Sequence, residues 1–283
     1  MISHDDATRG AHRHHPWRVA LSAAVLLVLV AFAYPTVRYA LRSHPKAKSM
    51  ESAIQQFRGS TSIPGSASTA FLRPRAGVYR ATGSGRETIS FPPNAQSDGA
   101  VMPVTVRYLP AGCWQWRIDY NTAHWSLEEF CPKGSELLLV GQQNYQSWDF
   151  GATKITNLAR YTCNPPSPIV VQHPRPGQTF RHACTGTNTA VPGTSTAAGP
   201  ATIVGTHTLT IGSTPVRAIH QTRRQILTGA QKGEIDEEWW FAADTGLPLR
   251  SSRRYELKTP SPLGTITYTE NGSWALTSLQ PAT

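Results

Sequence analysis

Residues 113–131 read CWQWRIDYNTAHWSLEEFC, two strand-like runs on either side of the tripeptide Asn121-Thr122-Ala123. In the first run every second residue is apolar, which is the pattern of a β-strand with one buried face; the residues on that face are Trp114, Trp116, Ile118 and Tyr120. A turn centred on Thr122 places Cys113 opposite Cys131, because the two are equally far from it in the chain. We therefore predict a β-hairpin with a Cys113–Cys131 disulfide.

The other two cysteines, Cys163 and Cys184, pair by exclusion and would close the proline-rich segment 164–178. None of the four belongs to a CxxC metal knuckle, and an even set of widely spaced cysteines is typical of disulfides in an oxidising compartment. A zinc site built from His173, His182 and Cys184 is the alternative for this region. We prefer the disulfide beside an ordinary histidine.

From Gly77 to Leu279, short runs rich in Val, Ile, Thr, Tyr and Trp alternate with Gly, Pro, Asn and Asp about every ten residues. This spacing predicts an all-β fold, an antiparallel meander of fourteen candidate strands. Gly212-Ser213 fits a two-residue hairpin turn, across which His207 and His220 could meet. The low-complexity segment 185–200 reads as a mobile loop.

An apolar segment, Val19 to Val37, carries no charged side chain in 19 residues and is long enough to cross a bilayer as a helix. It divides the chain into an 18-residue cytoplasmic stub (1–18), a transmembrane helix (19–37), a juxtamembrane linker (38–75) and an extracytoplasmic β domain (76–283). Within the linker, residues 49–58 are a candidate short helix. A cleavable signal peptide, with Ala31-Phe32-Ala33 as its cleavage motif, is the alternative to an uncleaved anchor.

The side of the membrane on which the β domain lies is decided by the cysteines. The positive-inside rule, applied to the flanking charges alone, would place the β domain in the cytoplasm, because four basic residues follow the apolar segment: Arg38, Arg42, Lys46 and Lys48. Large downstream domains translocate largely regardless of such charges, and all four cysteines follow the segment. We therefore expect a single-pass protein of the cell membrane with its large domain outside the cytoplasm.

Composition and motifs exclude several function classes. Residues 70–283 carry nineteen Lys and Arg against fourteen Asp and Glu, a mixed surface without the basic helix or basic–aromatic stripe of a nucleic-acid-binding protein. The chain has no Gly-x-Ser-x-Gly elbow, no His-Glu-x-x-His and no Gly-rich phosphate loop. The acidic residues of Glu128-Glu129 and of segment 234–238 (Glu-Ile-Asp-Glu-Glu) are expected to solubilise strand edges. We expect no catalytic residue, cofactor or metal. Four histidines near the N-terminus (His4, His12, His14, His15) are interpreted as part of a polar tail, with a zinc or nickel site as the alternative.

The segment EEWWFAADTGLPLR, residues 237–250, joins an aromatic strand to a return strand through the turn Asp244-Thr245-Gly246-Leu247-Pro248. With the Gly-Val-Tyr-Arg opening at 77–80 and Cys-Trp-x-Trp at 113–116, it resembles uncharacterised membrane-anchored proteins of high-GC Gram-positive bacteria. It is distantly similar to the lipoprotein-carrier and lipid-binding fold of bacterial envelopes.

This resemblance implies a strongly curved antiparallel sheet, a half-barrel or open barrel, whose concave face holds a lipid or another hydrophobic ligand. The candidate lining residues are Trp114, Trp116, Trp239 and Phe241. The alternative function is a non-catalytic interaction or sensory module of the cell envelope, without a cavity, that binds a protein or the cell wall.

Overall fold

The computed structural model describes residue 42 and residues 44–60, 72–151, 153–262 and 264–283. The stub 1–18, the apolar segment 19–37 and part of the linker lie outside this range. Among the residues described, no helix is both long enough and apolar enough to cross a membrane.

The chain separates into two compact units: Met1–Ser43 with Phe150–Thr153, and His44–Asp149 with Lys154–Thr283. In the first, the Phe150 amide donates a hydrogen bond to the Thr153 carbonyl at 2.9 Å. All that follows concerns the second.

The second unit is an antiparallel β domain, as the alternation of turn and strand residues predicts. In the described part of the chain it has one helix, α1 (Met50–Arg58), a 3-10 turn (Pro110–Gly112) and thirteen strands. The strands are β1 (Gly77–Ser90), β2 (Pro93–Ser97), β3 (Val101–Tyr108), β4 (Trp114–Asn121), β5 (His124–Lys133), β6 (Glu136–Asp149), β7 (Lys154–Val171), β8 (Thr179–Asn188), β9 (Thr194–Ile211), β10 (Thr214–Gly229), β11 (Lys232–Ala242), β12 (Pro248–Ser261) and β13 (Gly264–Leu276).

The sheet closes on itself, so the expectation of a half-barrel or open barrel is wrong. Neighbours in sequence pair in order from β3 to β13, and β1 then pairs with both β3 and β13. Of the thirteen strands only β2 stays outside the ring, which leaves twelve in a closed barrel. Closure is possible because β1 is long: residues 77–82 pair with β3 and residues 81–89 with β13.

The low-complexity segment 185–200 is not a loop over its whole length. Residues 185–188 complete β8, residues 194–200 begin β9, and the two strands pair. Small side chains are needed here because neighbouring backbones approach closely: a Cβ atom on Gly186 would lie 1.9 Å from the carbonyl oxygen of Arg160, and one on Gly199 equally close to that of Arg224. The composition therefore reflects tight strand packing.

Part of the predicted linker contacts the barrel. Helix α1 occupies the predicted position and is capped by the hydroxyl of Ser49. Lys48 forms an ion pair with Asp119 at 3.2 Å, and Arg107 donates a hydrogen bond to the carbonyl of Gln56. Farther along, Leu72 is fully buried, and its amide donates a hydrogen bond to the carbonyl of Asp244. Leu72 thus fills space in the barrel core.

The barrel interior is divided between aromatic and charged side chains. On β11, the alternate residues Glu237, Trp239 and Phe241 are all buried, and on β13 Glu270 and Trp274 share one face. Each of these strands therefore places aromatic rings toward one end of the barrel and a carboxylate toward the other.

Candidate functional site

The four predicted lining residues lie together in the barrel core. Trp114, Trp116 and Phe241 have no exposed surface, and Trp239 retains 4%. The ring centroids of Trp116 and Trp239 are 5.5 Å apart and those of Trp239 and Phe241 5.7 Å apart, with Trp274 stacked on Trp116 at 5.2 Å. These rings thus pack against one another, and Trp114 packs against Phe130 at 4.5 Å, as in a filled core.

Both predicted disulfides are present. Cys113 and Cys131 close the first hairpin, with their Cα atoms 4.2 Å apart, and Cys163 and Cys184 join β7 to β8 at 4.0 Å. His182 lies beside the second bridge, with Nε2 3.3 Å from Sγ of Cys184. Because both sulfur atoms are in the disulfide, they are not metal ligands. Burial lowers the pKa of His182 to about 3.

A buried arginine organises one charged cluster inside the barrel. Nη1 of Arg223, on β10, lies 2.8 Å from Oε1 of Glu128 and 3.6 Å from Oε2 of Glu237. Burial lowers the pKa of Arg223, but the two carboxylates outweigh it and the net change is upward. Burial raises the pKa of Glu237, and Arg223 offsets only part of this. Tyr255 donates a hydrogen bond to Glu237 at 2.5 Å.

A second buried arginine, Arg253 on β12, organises the neighbouring cluster. Its guanidinium pairs with Asp98 at 2.7 Å, donates from Nε to Glu270, and lies 3.8 Å from the centre of the Tyr120 ring. Burial raises the pKa of Glu270, but Arg253 and His124 outweigh it and the pKa is lowered. Glu270 therefore remains a carboxylate in this cluster.

Glu87 and His124 extend this second cluster. Glu87 accepts hydrogen bonds from Gln96, from Gln146 at 3.1 Å and from Tyr268 at 2.7 Å. Nδ1 of His124 lies 3.2 Å from Oε1 of Glu87. Burial lowers the pKa of His124, but Glu87 and Glu270 outweigh it and raise the pKa above its usual value.

One end of the barrel carries a surface groove of about 350 Å³. Its walls are largely apolar, and the guanidinium groups of Arg75 and Arg217 are exposed at it. Arg75 donates to Gln280 at 2.5 Å, whereas Arg217 has no ion pair or side-chain hydrogen bond within the described ranges. The lining residues are Pro74, Arg75, Tyr79, Thr214, Pro215, Val216, Arg217, Ala242, Ala243, Asp244, Thr245, Leu247 and Leu279.

Two turns found in the sequence build this groove. The turn Gly212-Ser213 joins β9 to β10 as predicted and leads directly into Thr214, Pro215 and Val216. The turn that begins at Asp244 joins β11 to β12 and contributes Asp244, Thr245 and Leu247. None of the four predicted lining residues borders the groove.

On the outer wall, His207 and His220 meet across the second hairpin as expected, with ring centroids 5.5 Å apart, although the register pairs His207 with Ala218 and makes the two histidines diagonal neighbours. His220 also stacks on Trp240, with ring centroids 4.2 Å apart, and the guanidinium of Arg250 lies 4.7 Å from a ring centroid of Trp240. Burial against Trp240 and its neighbours lowers the pKa of His220. The stack covers an outward-facing tryptophan with polar groups.

The sequence did not reveal the buried charges. Glu128 and Glu237 were expected at solvated strand edges, yet both lie in the barrel with Arg223. The only signal was alternation: Glu237 lies two residues from Trp239, and Glu128 two from Phe130, so each carboxylate shares the inward face with an aromatic ring.

No protein-family model matches this chain, and a search of curated proteins finds no match. Among solved structures, the chain is similar to the crystal structure of the hypothetical lipoprotein YmcC from Escherichia coli K12, at 14% identity over 84% of this chain and 99% of that chain, with a TM-score of 0.30. A TM-score of that size supports no inference about fold or function.

Proposed function

We propose that this chain is a membrane-tethered, extracytoplasmic binding module that binds a cell-envelope partner in the groove of Arg75 and Arg217, without catalysis. The tether is the apolar segment Val19 to Val37. Two disulfides support a location outside the cytoplasm, because such bonds persist in oxidising compartments.

The observation that carries the proposal is the chemistry of the groove. Arg217 is exposed beside the apolar walls formed by Pro215, Val216 and Leu279, and Arg75 presents a second guanidinium. Guanidinium groups bind carboxylates through paired, charge-assisted hydrogen bonds. An apolar wall with two such groups fits a short peptide that carries a free carboxylate, as cell-wall peptides do.

A lipid ligand is less favoured by the interior. An acyl chain among Trp114, Trp116, Trp239 and Phe241 would have to separate rings that now contact one another, at the cost of core packing. The charged clusters of Arg223 and Arg253 occupy other parts of the interior. A ligand that binds in the surface groove does not need to separate these packed rings.

Co-sedimentation of the full-length protein, in detergent, with purified peptidoglycan tests the proposal. Arg217→Ala should weaken binding by about tenfold or more, since one hydrogen bond to a charged group contributes roughly 1.5–3 kcal/mol. Arg224→Ala is the matched control, because Arg224 is exposed on the barrel wall. Equal retention of both variants, or a lipid that co-purifies with the protein in native mass spectrometry, would contradict the proposal.

A further inference from the structure

The groups Glu87, His124 and Glu270 converge inside the barrel from three strands, β1, β5 and β13. Each offers one ligand atom, these atoms lie within 4.8 Å of one another, and all three residues are buried. Because β5 pairs with neither β1 nor β13, the three side chains meet across the interior. They therefore form a compact set of one imidazole and two carboxylates shielded from water.

Nδ1 of His124 faces the carboxylates of this set without a hydrogen bond. The side chain has no exposed surface, and Nδ1 makes no hydrogen bond, although it lies 3.2 Å from Oε1 of Glu87 in an ion pair. Its other nitrogen, Nε2, contacts the side-chain amide of Asn144 at 3.1 Å. A buried nitrogen without a hydrogen bond is uncommon in folded proteins, and this one is positioned to bind an ion between the two carboxylates.

The side chains around this set carry a net negative charge that a cation would balance. Glu87, Glu270 and Asp98 supply three carboxylates, and Arg253, paired with the last two, supplies one positive charge. Tyr268 has one hydroxyl hydrogen for two carboxylates, its oxygen lying 2.7 Å from Glu87 and 2.5 Å from Glu270. A divalent ion that displaces a proton from His124 would leave that ring neutral and balance the remaining two negative charges.

We propose that Glu87, His124 and Glu270 bind one divalent transition-metal ion, of which Zn²⁺ fits the mixed imidazole and carboxylate set best. Zinc–nitrogen and zinc–oxygen bonds of about 2.0–2.2 Å require the three side chains to move slightly toward a common centre. Asn144 then holds the ligating ring by accepting from Nε2 after a flip of its amide, the role that a hydrogen-bonded partner of a metal-bound histidine commonly has. The ion ties β1, β5 and β13 together across the barrel.

The test uses the full-length protein with His4, His12, His14 and His15 replaced by alanine, because histidines of the N-terminal tail would bind zinc on their own. After equilibration with Zn²⁺ and dialysis, elemental analysis should find one zinc per chain. His124→Gln and Glu87→Gln should each weaken zinc binding by more than about tenfold. His220→Gln, which alters a histidine of the outer wall, should bind as tightly as the parent.

Failure of the parent to retain zinc, or equal retention by His124→Gln, would overturn the proposal. X-ray absorption of the Co²⁺-loaded parent keeps the test independent of how well the variants fold. A first shell of nitrogen and oxygen with one imidazole supports the site, whereas sulfur or several imidazoles contradicts it. Neither measurement depends on the groove, so the proposed binding function stands or fails separately.

Discussion

Arg223 and Arg224 are consecutive residues of β10 that face opposite sides of the barrel wall. The side chain of Arg223 has no exposed surface and pairs with Glu128, whereas that of Arg224 is 82% exposed and lies 3.9 Å from Asp236. The alternation of a β-strand thus places one guanidinium inside the protein and the next in solvent.

This pair allows a matched mutational test. Arg223→Leu leaves Glu128 and Glu237 buried without their counter-charge, and we expect it to lower the free energy of unfolding by roughly 3–5 kcal/mol. Arg224→Leu should change it by less than about 1 kcal/mol, because exposed ion pairs contribute little. Urea unfolding followed by tryptophan fluorescence measures both. Equal effects would show that the buried cluster contributes no more than the surface pair.

Loss of the Cys163–Cys184 disulfide should destabilise the domain. The bond closes a segment with a sequence separation of 21, for which the chain-entropy model gives about 3 kcal/mol. We expect the Cys163→Ala/Cys184→Ala variant to unfold at a lower urea concentration than the wild type. A wild-type midpoint that does not fall on reduction would argue that neither bridge constrains the unfolded chain.

Stability should depend on pH through His182. Its pKa is about 3 in the folded protein, because of burial, and about 6.5 in the unfolded chain. Between these values the unfolded chain binds the additional proton, so His182 reduces stability by about 1.4 kcal/mol for each pH unit below 6.5. Unfolding at pH 7, 6 and 5 should give a shallower slope for His182→Gln. Identical slopes for the variant and the wild type would contradict a buried, neutral His182.

Leu72 connects the segment before β1 to the barrel core. Its carbonyl accepts a hydrogen bond from Nε1 of Trp114 at 3.1 Å, and its side chain is fully buried. Leu72→Ala keeps the backbone contacts but leaves a cavity, so we expect a loss of about 2–5 kcal/mol in unfolding free energy. Leu209→Ala, at a position only packed against the edge of the core, serves as the control and should cost less. A neutral Leu72→Ala would show that the segment does not seal the core.

Local patterns predicted the local features of this fold. Alternation and a turn at Thr122 gave the first hairpin and its disulfide, and Gly212-Ser213 gave the second hairpin. Closure of the barrel depends on pairing between β1 and β13, which are far apart in sequence and share no local signal. Gly83 lies at this strand pairing, and a Cβ atom there would lie 2.0 Å from the carbonyl oxygen of Ser273. A single glycine in the sequence does not predict which distant strand lies next to it.

The candidate sites were less accessible to prediction because each combines distant strands. The groove needs the turns after β9 and β11 together with Tyr79 of β1. The buried cluster of Glu87, His124 and Glu270 depends on barrel closure, which brings Glu87 and Glu270 opposite each other in register. Alternation in the sequence placed Trp114 and Trp116 correctly on one buried face, but could not show which other side chains would share the interior with them.

Site-specific photo-crosslinking in living cells tests the groove most directly. A photoreactive phenylalanine analogue at Val216, in the groove, should crosslink to cell-wall peptide. The same analogue at Val204, which is 43% exposed elsewhere on the domain, should not, and Arg217→Ala should abolish the Val216 product. Crosslinks of equal yield from Val204, or only lipid adducts from Val216, would contradict the account.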